Sequence, residues 1–420
     1  MEKIETIIVG GGQAGLATSY HLKQLGREHL VVEAAEKAGN AWRNDRWDSF
    51  TLVTPNWSVQ LPGAHYNGNY PDSFMPKDEI VAYFEQYVEK FELPIQFNTS
   101  VLEVTPMDGG GYLLRTCDKE IQAENVVMAT GSFQKPKIPA YSADIPAGIT
   151  QLHSGQYRNP KQLPDGAVLV VGAAQSGMQI AEELHQAGRT IYMATGAATR
   201  NPRRYRGRDI VYWLMVTGFF DKTVDQLPSP KARLKGNPQA SGKDGGHSLN
   251  LHQFARDGIQ LFGHIAGAQD GKVMFAPDLR DNLAFSDKME KDIIGMTDKY
   301  IEENGINLPA ETLPNLQDGY SVEGRTELDL KAVHINSIVW AMGYKADYSL
   351  VKLPLADDDG FPVQQRGITQ YPGLYFVGMH WLHKRKSGIL LGVNEDAEYI
   401  VADMTERSGR SLARTALKIG

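Results

Sequence analysis

Hydrophobic positions first gather in a short unbroken run. Ile4 to Val9 carries β-branched residues and no charge after Glu5, the pattern of a buried strand. Past three glycines the spacing turns helical from Ala14 to Leu25 and stops at Gly26. A second apolar run, His29 to Val32, ends at Glu33. The same order returns further on. Ala167 to Val171 predicts a strand, Met178 to Gln186 a helix closed by Gly188, and Thr190 to Ala194 another strand. Between the two units, Gln96 to Val104, Gly111 to Cys117 and Ile121 to Met128 predict a small meander. It runs into "VVMATG", and "VWAMG" within Ile335 to Val351 looks like that ending. Leu374 to Val377 predicts a strand, followed by a loop and a helix that begins past Gly392. From Gly207 to Leu330 no period is sustained, and the segment reads as irregular, with a polar loop over Lys235 to Gly246. The longest apolar run, Ile210 to Phe220, is too short to cross a bilayer and reads as buried, an exposed docking patch being the alternative.

Strand, glycine turn, helix, strand, occurring twice, predicts an α/β protein with two Rossmann-like dinucleotide-binding domains. The second is inserted into the first: residues 1–158 begin the first dinucleotide-binding domain, 159–330 form the second, and 331–420 return to the first.

The first turn fits G-x-G-x-x-G at Gly10, Gly12 and Gly15. With 42 glycines in the chain a lone match is weak. The strand before it, the helix after it and the acid beyond give it weight. Gly10 permits the tight turn, Gly12 lets the backbone approach a pyrophosphate, and Gly15 lets helix and strand pack closely. The helix N-terminus suits a diphosphate, and Glu33 suits a ribose hydroxyl. The second turn, Gly172-Ala-Ala174-Gln-Ser176-Gly177, has a methyl where the middle glycine would stand, which predicts a looser grip on an exchangeable cofactor. Its following strand ends at Thr195-Gly196 without an acid. "RNPRRYRGRD" then supplies Arg200, Arg203, Arg204, Arg206 and Arg208, and guanidinium forks suit a 2′-phosphate, so NADPH is favoured over NADH. A solvated basic loop is the alternative.

Composition sharpens this in three ways. Hydrophobic residues make up 42% and charged residues 22%, ordinary for a globular protein. A net charge of −7 argues against a general nucleic-acid binder. A single cysteine, Cys117, rules out an internal dithiol and suggests a reducing, cytoplasmic setting. Met1 to Thr6 lead into a strand with no apolar leader, and no transmembrane segment is expected. His247 and His252 have no acid or cysteine at ligand spacing, so no metal site is expected.

Taken together, Gly10-x-Gly12-x-x-Gly15, "GNAW" at Gly39 to Trp42, "ATGSFQKPKIP", "VVGAAQSGMQIAEEL", "WAMGYKAD" and "GLYFVG" resemble the class B flavin-dependent monooxygenases, which include flavin-containing monooxygenases and YUCCA-type enzymes. The likeness covers nearly the whole chain. It implies FAD held by Gly10, Gly12, Gln13, Ala14, Gly15, Glu33, Gly39, Trp42, Val101, Ala129, Thr130, Gly131, Gly378 and Met379. It implies NADPH held by Gly172, Gln175, Ser176, Gly177, Arg200, Arg203, Arg204 and Gly343. The family signature F-x-G-x-x-x-H-x-x-x-Y/F is only partly present: "IPAGITQLHSGQY" supplies His153 and Tyr157, Gly148 stands one residue early, and the leading Phe is missing. Asn56 is aligned with an asparagine that faces the flavin in relatives, and His153 and Tyr157 complete the candidate catalytic set.

The activity implied is NADPH-consuming insertion of one oxygen atom from O2 into a small amine, sulfide or carbonyl compound through a flavin C4a-hydroperoxide. The alternatives are a flavoprotein reductase or oxidase, and a non-enzymatic redox sensor. Substrate would enter a pocket walled by Trp42 to Trp57, Tyr212 to Phe220 and His380 to Leu390. A homodimer is left open.

Overall fold

The computed structural model describes residues 2–234 and 236–419; Lys235, at the start of the expected polar loop, lies outside them. Strand β1 (Glu2–Val9) is buried along its second half and delivers the chain to Gly10. Helix α1 (Gln13–Gln24) then runs back along the sheet to β2 (His29–Val32). Helix α2 (Lys77–Lys90) buries Ile80, Val81, Phe84 and Tyr87, a one-sided stripe at helical spacing. Strands β3 (Ile95–Gln96), β4 (Val101–Pro106), β5 (Tyr112–Thr116) and β6 (Glu120–Met128) follow. The expected single strand over Gln96 to Val104 is broken in two, because Asn98 adopts φ 52° and turns the chain.

The second unit begins with β7 (Thr150–His153) and continues through β8 (Ala167–Val171), α3 (Gln175–Gln186) and β9 (Ile191–Ala194). Helix α4 (Ile210–Val216), β10 (Gln260–Phe262), helix α5 (Leu279–Glu303) and β11 (Ile335–Trp340) complete it. The chain then returns through β12 (Leu374–Phe376) to α6 (Val393–Ile419).

In the first sheet β12, β6, β1, β2 and β3 lie side by side and parallel, with β5 antiparallel to β6 and β4 antiparallel to β5. The second sheet is parallel throughout, in the order β7-β11-β8-β9-β10. Parallel strands covered on both faces need unbroken apolar runs, and β8 is buried at all five positions.

The sheets divide the chain differently from the expected boundaries at 158 and 331. Thr150–His153 and Ile335–Trp340 pair with each other in the second sheet, at Gln151↔Ile338 and His153↔Trp340. The "WAMG" ending therefore belongs to the second unit. It is that unit's counterpart of "MATG", which explains why the two look alike.

The stretch expected to be irregular contains α5, 25 residues long. Its buried positions Leu279, Asn282, Leu283, Ser286, Ile293, Thr297 and Ile301 form one stripe, three of them polar, which hid the period from an apolar reading. The run Ile210 to Phe220 is buried at Ile210, Val211, Trp213, Leu214 and Phe220, as expected. Among the described residues no helix is long and apolar enough to cross a membrane.

Candidate active site

The C-terminal ends of β1 and β6 meet at the first glycine turn, where open α/β sheets bind ligands. Gly10 has φ 112°, and a side chain there would meet the Ala129 carbonyl at 2.7 Å. A Cβ on Gly15 would lie 1.9 Å from the Gly10 oxygen, so only glycine lets helix and strand come this close. Gly12 differs: a Cβ there meets nothing within 4 Å, so the space above the helix N-terminus is open. Glu33 accepts hydrogen bonds from Gly11 N at 2.6 Å and Ala35 N at 2.9 Å. Each carboxylate oxygen keeps a free lone pair for a hydroxyl. Gly39 N donates to the Gly11 carbonyl, which seats the "GNAW" loop on the turn, and the Trp42 ring lies beside Phe50 and Phe84. Gly378 abuts Ala14, Met379 is buried, and Gln13 Nε2 donates to Gly388 O. Thr130 Oγ1 accepts from Gln134, and Gly131 O accepts from Tyr348. Val101 opens β4 just past Thr99, whose N–H donates to Glu33 O. An open dipole end, a ribose-facing acid and a cradle of small residues fit the diphosphate and ribose of a dinucleotide.

The second turn repeats the first almost atom for atom. Gly172 has φ 110° and approaches the Ala341 carbonyl, and a Cβ on Gly177 would lie 1.8 Å from Gly172 O. Ala174 caps α3 at φ −80°, ψ −179°; Gly12 caps α1 at φ −84°, ψ −176°. That conformation suits any residue, so Ala174 carries no strain and its methyl is exposed. Gln175 Nε2 donates to Ala240 O, as Gln13 does to Gly388. Ser176 follows in the first turn of α3, and Gly343 lies at φ 77°, as Gly131 lies at φ 70°. The strand ends differ: where Glu33 offers a carboxylate, the Thr195 hydroxyl donates to Phe262 O.

The arginines are placed otherwise than expected. Arg200 is buried between Asp287 at 2.8 Å and Glu290 at 2.6 Å. Arg203 is 3% exposed, ion-paired to Asp209 at 2.5 Å, and lies over the Phe74 ring. Burial pulls its pKa down while Asp209 opposes the fall. Both side chains are occupied in holding the insertion together and are not free forks for a phosphate. Arg206 pairs with Asp298. Arg204 is exposed and, among the described residues, donates to the Gly245 and Gly246 carbonyls and pairs with no acid, so of Arg200, Arg203 and Arg204 it keeps its charge available.

The catalytic candidates separate as well. His153 is fully buried; Nε2 donates to Gly343 O at 2.9 Å and Nδ1 accepts from Gly155 N at 3.2 Å. Burial lowers its pKa, against the pull of the Gly343 carbonyl, so the ring is held neutral. Tyr157 is also fully buried, and its hydroxyl donates to Glu183 on α3, burial and that carboxylate both raising its pKa. These two residues position the connection between the sheets. Asn56 differs: its Nδ2 donates to Tyr70 O, while its Oδ1 is buried without a partner. An orphaned acceptor in a buried site is what a bound donor group would satisfy. The first turn of α6 holds Glu395 and Asp396, which complement the positive end of its dipole.

Sequence reasoning missed the closure of the 380–392 loop. Gln13 Nε2 donates to Gly388 O and Arg385 N to Lys222 O, so the loop bridges the first glycine turn and the insertion. The only trace in the sequence is the polar run Lys384-Arg385-Lys386 amid apolar neighbours.

A family model described as pyridine nucleotide-disulphide oxidoreductase matches residues 7–217. This chain belongs to that family. Over 403 residues it is 32% identical to an uncharacterized CzcO-like oxidoreductase of Geobacillus kaustophilus, covering 96% of this chain and 98% of the relative. It is 27% identical to the probable indole-3-pyruvate monooxygenase YUCCA3 of Arabidopsis thaliana, over 96% of this chain and 86% of that protein. A flavin-containing monooxygenase from Stenotrophomonas maltophilia has the same fold, with TM-score 0.66 and 20% identity, over 97% of this chain and all of that one. The chain is thus an oxidoreductase with the fold of the flavin-containing monooxygenases, built on two dinucleotide-binding units. FAD and NADPH, expected from the sequence, are the cofactors that this affiliation supports.

Proposed function

We propose that the protein is an FAD-dependent, NADPH-consuming monooxygenase that places one oxygen atom of O2 on a small amine, sulfide or carbonyl compound. The observation that carries this reading is the pair of matching helix-capping turns with unlike strand ends, Glu33 and Thr195. FAD, when bound, supplies the chemistry: two electrons from NADPH and two protons reduce O2, one oxygen going to substrate and one to water.

The protein's own groups hold and shield. The α1 N-terminus and open Gly12 receive the diphosphate, and Glu33 accepts from the ribose. Asn56 Oδ1 offers a fixed acceptor inside the site. His153 and Tyr157 keep the two units in register. At the second turn no carboxylate repels a 2′-phosphate, and Arg204 supplies the charge in place of Arg200 and Arg203. The substrate walls are residues 42–57, 212–220 and 380–390, and the enzyme acts in the cytoplasm.

The test is isotopic. FAD-loaded protein supplied with NADPH and oxygen-18 gas is offered an amine, a sulfide and a ketone. One labelled oxygen per product, with one NADPH consumed, is expected. NADPH consumption that yields only hydrogen peroxide selects the oxidase reading, and no NADPH consumption selects the sensor.

A further inference from the structure

The 380–392 loop carries a cation that no acid among the described residues pairs with. Lys384 bridges Thr223, and Arg385 N donates to Lys222 O as the chain enters a turn. Lys384 and Lys386 share Asp221 and Glu395, at 2.5 to 3.0 Å. Arg385, between them, has different surroundings. Its guanidinium lies 4.3 Å from the Phe219 ring centroid and 4.6 Å from that of Trp381. Nη1 donates to Asn237 Oδ1 at 3.3 Å, and Nε is buried with no partner. The Trp381 indole N–H beside it is also buried and unpartnered. Trp381 sits at φ 57°, a left-handed conformation costly for a large side chain. Burial, with no opposing charge, pulls the Arg385 pKa down to about 10.

Its place in the fold joins both units. The loop is tied to the first glycine turn through Gln13 and Gly388. Asn237, the Arg385 partner, accepts at its carbonyl from Thr199, just past β9. Trp57, Phe219, Ile389 and Leu391 share one apolar cluster around this seam. A desolvated cation with no counter-charge is costly, and a carboxylate that arrives with a ligand removes that cost.

We propose that Arg385 and Trp381 receive the carboxylate of the enzyme's substrate, an apolar small molecule that ends in that group. The guanidinium fork matches a carboxylate, and the aromatic faces and apolar cluster match the body. The word substrate rests on the monooxygenase reading; the binding itself does not. The NADPH phosphates share this anion chemistry, and the experiment separates the two sources.

FAD-loaded protein is titrated by calorimetry with 3-phenylpropionate, with 3-phenylpropanamide, which has nearly the same shape and no charge, and with NADP⁺. The acid is expected to bind at least about tenfold tighter than the amide. Arg385→Gln should erase that difference by weakening the acid alone. Arg385→Lys should restore part of it. Trp381→Phe, which keeps a ring and removes the N–H, should weaken the acid about threefold. Flavin absorbance checks that each variant is folded, and if Arg385→Gln is not, the lysine and phenylalanine variants decide. Equal binding of acid and amide, binding of neither, or a loss that falls on NADP⁺ overturns the proposal. Failure of the monooxygenase reading appears separately, as NADPH consumption without oxygen transfer.

Discussion

The two glycine turns have the same backbone and different chemistry. Gly10 and Gly172 share a positive φ, Gly15 and Gly177 share a contact no side chain could survive, and Gly12 and Ala174 share a capping conformation. They part only where a ligand would be felt. Gly12 is bare and Ala174 carries a methyl; Glu33 is an acid and Thr195 is turned inward. Structural demands are thus met twice in the same way, and ligand demands are met differently.

The largest effect should come from the shared positions. Gly15→Ala and Gly177→Ala each force a methyl into a carbonyl, and each should cost at least ~3 kcal/mol of stability. Urea unfolding checks this, and if either variant were tolerated the two turns would not be equivalent in packing. Arg203→Ala should be nearly as damaging, by about 3–5 kcal/mol, since it strands Asp209 in a buried site. Arg204→Ala should leave stability alone and reduce the preference for NADPH over NADH by about tenfold. Steady-state kinetics with both nucleotides reads the contrast.

Gly12→Ala sharpens the comparison further. The conformation is permissive and the space is empty, so the fold should change by less than ~0.5 kcal/mol. FAD affinity should nevertheless drop roughly 10- to 100-fold as backbone–phosphate bonds lengthen. Ala174→Gly, the reverse change, should tighten NADP⁺ by a few fold. Fluorescence titration of each cofactor measures both.

The acid side of the pH profile tests the connection between the units. Burial holds the folded His153 pKa below the ~6.5 of the unfolded chain. Below that pH the unfolded state binds more protons, so stability falls as pH falls. His29 and His252, lowered by burial, act in the same direction. His247 is raised by Glu182 and acts oppositely: its contribution is present below ~6.5 and fades as pH rises through its folded value. Removing the ring with His153→Gln should flatten the slope by up to ~1 kcal/mol per pH unit in a Tm series. The smallest effect belongs to Cys117→Ser. The thiol is exposed and is the chain's only one, so NADPH consumption should stay within about twofold.

What could be read from the sequence follows the same divide. Gly10, Gly15, Gly172 and Gly177 announced their roles, because local backbone geometry alone demands glycine there. Glu33 was legible from its offset. The arginines were not, because a guanidinium's meaning depends on its partners, and Asp209, Asp287 and Glu290 are brought to Arg203 and Arg200 only by the fold. The same holds for "WAMG", which looked like part of the return to the first sheet until β11 was seen to pair with β7 and β8. Helix α5 escaped because Asn282, Ser286 and Thr297 fill three places in its buried stripe.

The most direct test of the central claim is cofactor retention. Purified protein, dialysed at length and then analysed for bound nucleotide, should keep one FAD per chain and no nicotinamide, and should then bind one NADP⁺ reversibly. Protein that loses all colour and does not take FAD back, or that keeps the nicotinamide as firmly as the flavin, would contradict the division of labour between the two turns.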